Sequence, residues 1–215
     1  MKHIRRALIV ALAAIAGVLL LCGPAATWLQ SRHTWITPST QVDAVYIVCG
    51  ARAQTRRVTA LTDWLSHSES HAPRPTILVG NDPQKSLWCR QHQTNHTVTA
   101  WTQERLTTMI TSLPSPPPVV PGTFRNTDGE MVALSAYLQE QPEIQSIALV
   151  TSRFHARRCL QRFHTHAETQ TTTRVIPGIV WWENRAPWIV AGELLKMVRD
   201  NLHLSDVITR TERDL

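Results

Sequence analysis

The chain has no Cys-x-x-Cys pair, no internal repeat and no Gly-x-Gly-x-x-Gly turn. Without closely spaced cysteines a structural zinc site is not expected. His164 and His166 lie two apart in a polar stretch with no carboxylate pattern around them, so they do not replace it, and no metal is expected. Without the triple-glycine turn the backbone has no ready approach to a pyrophosphate, which argues mildly against a nucleotide binder. Positive charge is also short for a nucleic-acid partner. The net charge is +6, but Lys2, Arg5 and Arg6 supply half of it, and no dense basic face remains. Leu21 before Cys22 is not small, which excludes a lipidated cysteine at that position. Cys49, near the end of an expected strand, and Cys159, on the helix expected after another, read as small hydrophobes. A disulfide among Cys49, Cys89 and Cys159 is left open by the sequence.

What is present is enough for one domain with a sizeable core: 215 residues, 43% of them hydrophobic. Residues 1–6 are basic, and Ala7 to Cys22 carries no charge. That run is near the short limit of roughly 17–25 residues for a spanning helix. It is longer than the core of about 7–15 residues in a secretory signal. Two readings follow. A single-pass anchor held by the basic cluster on the cytoplasmic side is favoured. A cleaved signal with Gly23 and Ala25 at the cleavage site is the other. Both place the rest of the chain outside the cytoplasm, with membrane lipid as a partner, and Trp28 and Trp35 suit the outer interface. The expected divisions are an anchor over 1–26, a linker over 27–41, an α/β domain over 42–205 and a tail over 206–215.

Asp43 to Gly50 is a β-type run apolar on both faces, which suits a central parallel strand. Val58, Leu61, Trp64 and Leu65 then recur at helical spacing. Thr76 to Gly80 is a second strand. Asp82-Pro83 predicts a helix start, with Asp82 as cap and Pro83 in the first position. His96 to Trp101 reads weakly as a strand and Gln103 to Ser112 as a helix. Pro114 to Pro121 holds five prolines and predicts an extended connection without regular structure. A helix is expected over 130–141, a loop over 164–173, a strand over 174–180 and an amphipathic helix over 188–204. Asp43 is read as structural, and Glu193 as an ion-pair partner of Lys196 or Arg185. Strands alternating with helices predict a three-layer α/β domain with a mostly parallel sheet of about five strands.

The stretch that carries chemistry is 147–160. Ile147 to Val150 is an apolar run, and from Arg153 the apolar residues take helical spacing at Phe154, Cys159, Leu160 and Phe163. Thr151 or Ser152 is expected to cap that helix. Ser152, Arg153, His155, Arg157 and Arg158 then surround its first turns. A helix start exposes unpaired N–H groups and partial positive charge, and arginines add forked, charge-assisted bonds. An anion-recognising site at the carboxyl end of this strand is therefore expected. Arg153, Arg157 and Arg162 read as a solvated helix face, with anionic lipid head groups as an alternative.

Asp43 to Gly50 with Arg57-Val58, Ile77 to Gly80, Asn126-Thr127 and above all Val150-Thr-Ser-Arg-Phe-His-Ala-Arg-Arg158 resemble the YdcF/SanA/ElyC family of bacterial envelope-associated proteins. The resemblance spans roughly residues 43–203. It implies a Rossmann-like fold, often with one N-terminal membrane helix, and a role in cell-envelope or peptidoglycan metabolism. It points to Gly50, Arg57, Asn126, Thr127, Ser152 and Arg158 as ligand-binding residues and to His155 as a proton-moving residue. The family's usual carboxylate behind Asn-Thr corresponds to Asp128 or Glu130. This chain departs from the pattern at Gly50-Ala51-Arg52, where the loop is usually richer in glycine, and at Val79-Gly80-Asn81. The expected ligand is phosphate-bearing, such as a lipid-linked precursor. Whether the site is catalytic, a sensor in a non-catalytic regulator or scaffold, or a nucleotide or S-adenosylmethionine site stays open, as does any cofactor.

Overall fold

The computed structural model describes residues 24–25, 28–29, 40–50, 53–67, 73–89, 92–110, 113, 115–122, 124, 126–167, 173–181 and 187–201. The chain divides into two compact units, one of residues 33–182 and one of residues 1–32 with 183–215. Residues 7–22, on which the anchor reading falls, lie outside the described set, as do Trp35 and the tail. Among the described residues no helix is long and apolar enough to cross a membrane.

The larger unit is built on five parallel strands: β1 (Ala44–Ile47), β2 (Thr76–Gly80), β5 (Val119–Val120), β6 (Ser146–Ser152) and β7 (Arg174–Trp181). Their order across the sheet is β5-β2-β1-β6-β7. β1 is thus central, with β2 and β6 as its parallel neighbours. The connecting helices are α1 (Gln54–His67), α2 (Val98–Met109), α3 (Thr127–Gln139) and α4 (Arg153–Ala167). Alternation along the strands sorts the core into two halves. Tyr46, Val48, Leu78, Ile147 and Leu149 pack with Met131, Leu134 and Leu138 of α3 and Cys159 and Phe163 of α4. Val45, Ile47, Ile77, Val79, Ala148 and Val150 pack with Val58 and Leu61 of α1 and Leu106 of α2. Sheet and helices therefore form three layers, and both faces of β1 are dry, as its uninterrupted apolar run requires.

Asp43 fixes the start of the two central strands. Its Oδ2 accepts from Gln145 N at 3.0 Å, Ser146 N at 2.7 Å and Ser146 Oγ at 2.8 Å, so its role is structural as expected.

The helix expected from Asp82-Pro83 does not form. Asp82 caps a turn instead: Oδ1 accepts from Lys85 N at 3.2 Å and Oδ2 from Lys85 Nζ at 2.8 Å. A two-stranded antiparallel hairpin follows, β3 (Ser86–Cys89) and β4 (Thr94–Thr97). The segment after Pro83 has no apolar residues at helical spacing, so the cap had no buried face to start. Of the strand expected over 96–101, only His96 and Thr97 are extended. Thr97 then caps α2, its hydroxyl accepting from Ala100 N at 3.1 Å.

The proline stretch does contribute regular structure. Val119–Val120 pair with β2, and Pro118 O accepts from Val79 N at 3.0 Å. Proline carbonyls still accept while the missing N–H groups cost nothing on an outer edge, which explains the two-residue edge strand. α4 continues through His164 and His166 to Ala167, where a loop was expected. The charged and polar residues there face outward while Leu160 and Phe163 stay on the core, so the helix keeps its buried stripe.

The smaller unit contains α5 (Pro187–Asn201), with Val190 and Met197 buried and Leu195 and Val198 exposed. Glu193 pairs with Lys196 at 2.7 Å, one of the two partners expected for it.

Candidate functional site

In a sheet of this order the chain runs outward in opposite directions from β1 and β6, the arrangement at which open α/β sheets commonly take a ligand beyond the carboxyl ends of the strands. The end of β1 is held from both faces. From the α1 side the Arg57 guanidinium donates to Val48 O. From the α3 side the Glu130 carboxylate accepts from Cys49 N at 2.6 Å. These two atoms belong to one peptide group, so a cation grips its carbonyl and a carboxylate grips its N–H. The next N–H, that of Gly50, donates to Gln54 Oε1 at 3.2 Å. Gln54 Nε2 in turn donates to Thr102 Oγ at 2.9 Å, tying the β1 exit to α2.

A side chain at position 50 would press on Arg57. A Cβ there would lie 2.7 Å from Arg57 Nη1, so the guanidinium packs directly on the backbone. Arg57 itself is 4% exposed. Its Nε is buried and has no hydrogen-bond partner among the described residues. Residues 51–52 of the same loop lie outside the described set.

Glu130 is fully enclosed and also accepts from Tyr46 Oη at 3.0 Å. Burial pushes its pKa up to about 7. The bond from Cys49 N, the Arg57 charge and the Tyr46 hydroxyl pull the other way without cancelling the loss of water. The same burial, with Glu130 alongside, raises the Tyr46 hydroxyl well above its ordinary range and the Cys49 thiol with it. Cys49 is a free, buried thiol, as are Cys89 and Cys159, so the question of a disulfide among the three is answered: they form none.

Asn126 and Thr127 open α3. Asn126 is the cap, with extended backbone and a side chain accepting from Gly129 N at 2.8 Å. Thr127 is instead buried, and its hydroxyl accepts from Arg158 Nη2 at 2.7 Å. Arg158 is 6% exposed, so it is no surface cation. Arg158, Arg162 and His166 recur every four residues along α4 and meet the first turn of α3. Asp128 Oδ1 lies 3.5 Å from Arg162 Nη1 and 3.0 Å from His166 Nε2. Arg162 is therefore buried against a partner and does not belong to a solvated face with the half-buried Arg153 and Arg157.

Ser152 is the last residue of β6 and is buried; His155 is half-buried in the first turn of α4. Thr151 does not cap α4. It is within the strand, fully buried, and its hydroxyl has no partner among the described residues.

The expected residues thus fall into two connected groups. Gly50 and Arg57 surround the end of β1. Asn126, Thr127 and Arg158 join the starts and flanks of α3 and α4, with Ser152 and His155 at the adjoining end of β6. Glu130 links the groups, because it lies one helical turn beyond Thr127 and bonds to the β1 exit. In the sequence Glu130 stands out only beside Asp128, and Tyr46 and Gln54 do not stand out at all. The available signal was a carboxylate on the apolar face of α3, in line with Met131, Leu134 and Leu138. Comparison with family models, curated proteins and solved structures finds no match to this chain.

Proposed function

We propose that this protein binds a phosphate-bearing or other anionic ligand at the rim where β1 and β6 end, as a membrane-anchored protein of the cell envelope. The carrying observation is the Arg57 guanidinium: a buried cation at the reversal of strand order, bonded to a neutral carbonyl, with its Nε unpartnered among the described residues. A buried guanidinium in that state gains from a nearby anion, because the unmet donor and the under-neutralised charge both cost free energy. At neutral pH Glu130 offsets the charge only in part, since its pKa of about 7 leaves a large protonated fraction. The start of the fifteen-residue α4 adds partial positive charge at the neighbouring strand end. Arg158 and Thr127 supply a second polar pair on the same side. The resemblance of 43–203 to envelope proteins of the YdcF/SanA/ElyC type supports a lipid-linked precursor as the ligand, and the uncharged run 7–22 supports the anchor.

A reading without chemistry, as a sensor or scaffold, has its own support. Glu130, Tyr46 and Ser152, the groups at the rim best suited to move a proton or attack, are buried, and the first two hold each other and the backbone.

Calorimetry on the full-length chain in detergent, with inorganic phosphate and a short polyprenyl phosphate, tests the binding claim. Arg158→Ala is expected to weaken binding tenfold or more. Arg158→Lys, which keeps one donor toward Thr127 but loses the fork, is expected to fall between. Unchanged affinity in both variants, with the fold intact by circular dichroism, rejects the site. Turnover of a cell-wall intermediate that vanishes in His155→Ala separates an enzyme from a sensor.

A further inference from the structure

The β3–β4 hairpin is poorly held by ordinary packing. Its strands have four residues each, and of those eight only Cys89 is buried. Hairpins of this size are marginal in water without help from another element. The help comes from a cluster of different chemistry. Cys89 ends β3, His92 follows in the turn, His96 lies on β4 and Glu104 reaches over from α2. Cys89 Sγ, a ring nitrogen of His92 and a carboxylate oxygen of Glu104 all lie within 4.8 Å of one another. His92 Nε2 is 2.8 Å from Glu104 Oε1, and His96 Nδ1 is 3.1 Å from Glu104 Oε2. The two imidazoles stack, with ring centroids 5.2 Å apart and planes 17° from parallel.

We propose that Cys89, His92 and Glu104 bind a divalent cation of the zinc class, clipping the hairpin to α2, with His96 orienting the Glu104 carboxylate. The donor set is thiolate, imidazole and carboxylate, which suits zinc and cobalt and is a poor match for magnesium or calcium. Bonds of about 2.0–2.3 Å place tetrahedral ligand atoms roughly 3.3–3.8 Å apart. From separations of up to 4.8 Å the atoms need to close by about 1.5 Å at most, which side-chain rotation supplies. His92 turns to solvent, so the cation has a way in, while the buried Cys89 keeps one side of the site dry. His92 binds as neutral imidazole through the nitrogen that now faces Glu104, keeping its one proton on the other ring nitrogen, while the Cys89 thiol proton is released to solvent. His96 stays on the second carboxylate oxygen, where a partner fixes ligand geometry. Three protein ligands leave the fourth position to water. The spacing is Cys-x2-His-x3-His-x7-Glu, which a search for paired cysteines passes over. The site is separate from the anion rim and does not depend on it.

The test uses full-length, reduced, metal-stripped protein titrated with Co2+ and then Zn2+. One equivalent of Co2+ is expected to give visible bands of four-coordinate cobalt and a near-ultraviolet thiolate-to-cobalt charge-transfer band, both displaced by Zn2+. Cys89→Ser is expected to lose the charge-transfer band, and His92→Ala and Glu104→Gln to lose stoichiometric binding. His96→Ala is expected to bind roughly 10–100-fold more weakly. Replacing the exposed His164 by Ala is expected to change nothing. Because Cys89 is buried and its variant is open to misfolding, the solvent-facing His92→Ala carries a second readout. Zn2+ is expected to raise the melting midpoint of the wild type and not of this variant. A charge-transfer band that survives in Cys89→Ser overturns the proposal. So does binding that His92→Ala leaves intact, which marks adventitious surface histidines.

Discussion

Glu130 is a buried carboxylate whose charge this fold disfavours, and replacing it by glutamine isolates that cost. Its ordinary pKa is 4.5, and in the folded protein it is pushed up to about 7. The gap is about 2.5 units, and each unit corresponds to about 1.4 kcal/mol, so the ionised carboxylate costs the native state about 3 kcal/mol. Below pH 4.5 the group is protonated in both states and this penalty is absent. Between 4.5 and 7 the unfolded chain releases the proton while the folded chain keeps it, so stability falls as pH rises. Above 7 both states are ionised and the full loss stays. Urea unfolding from pH 4.5 to 8.5, for wild type and Glu130→Gln side by side, measures it. The variant keeps an acceptor for Cys49 N and Tyr46 Oη and has no charge to lose. Wild type is expected to lose about 3 kcal/mol relative to the variant across that range. A difference that does not change with pH refutes the reasoning. A wild type that gains with rising pH reverses it, and means that Arg57 and the two hydrogen bonds outweigh burial.

Two glycines give further tests. At Gly80 a Cβ would meet Tyr46 Oη, Cys49 Sγ and Phe124 Cζ, three groups with no room to retreat. Gly80→Ala is expected to cost about 1–3 kcal/mol through overpacking, read as a lower urea midpoint at unchanged slope; an unchanged midpoint contradicts the packing. At Gly50 a Cβ would displace the Arg57 guanidinium from Val48 O, and Gly50→Ala is expected to cost about 1.5–3 kcal/mol for the lost charged bond. The same variant is expected to weaken phosphate binding at the rim. Wild-type affinity in Gly50→Ala removes Arg57 from the ligand site.

The layered sheet was legible because its evidence is repeated. Residues 44–47, 76–80 and 146–152 each carry an apolar run buried on both faces, and each is followed by a helix or a turn. The hairpin was not legible. Ser86 to Cys89 and Thr94 to Thr97 hold few apolar residues, and the Asp82-Pro83 signal preceding them is the one that ordinarily opens a helix. Its local chemistry was satisfied by a turn through Lys85 instead, which a cap rule alone does not distinguish from a helix. The contacts of the expected site residues within the fold were not legible in the sequence. Arginines and a threonine were expected to face a ligand, yet Arg158 and Thr127 face each other, and Arg57 faces the backbone.

That difference bears on how the rim works. A guanidinium on Val48 O and a carboxylate on Cys49 N polarise one peptide at the exit of the central strand, and neither group is free to swing toward a ligand without releasing that peptide. On the proposed anion reading, binding is expected to couple to the hold on the Val48–Cys49 peptide. An anion that draws Arg57 outward removes its charge from Glu130, which raises the carboxyl's proton affinity further. On the anion reading proposed above, binding is expected to carry a proton into the fold, and affinity is expected to be highest at and below neutral pH, where Glu130 is protonated. Phosphate binding measured in two buffers of different ionisation enthalpy reveals that uptake in the wild type and its loss in Glu130→Gln. Equal proton uptake in both proteins places the linkage elsewhere and leaves Glu130 as a clamp alone.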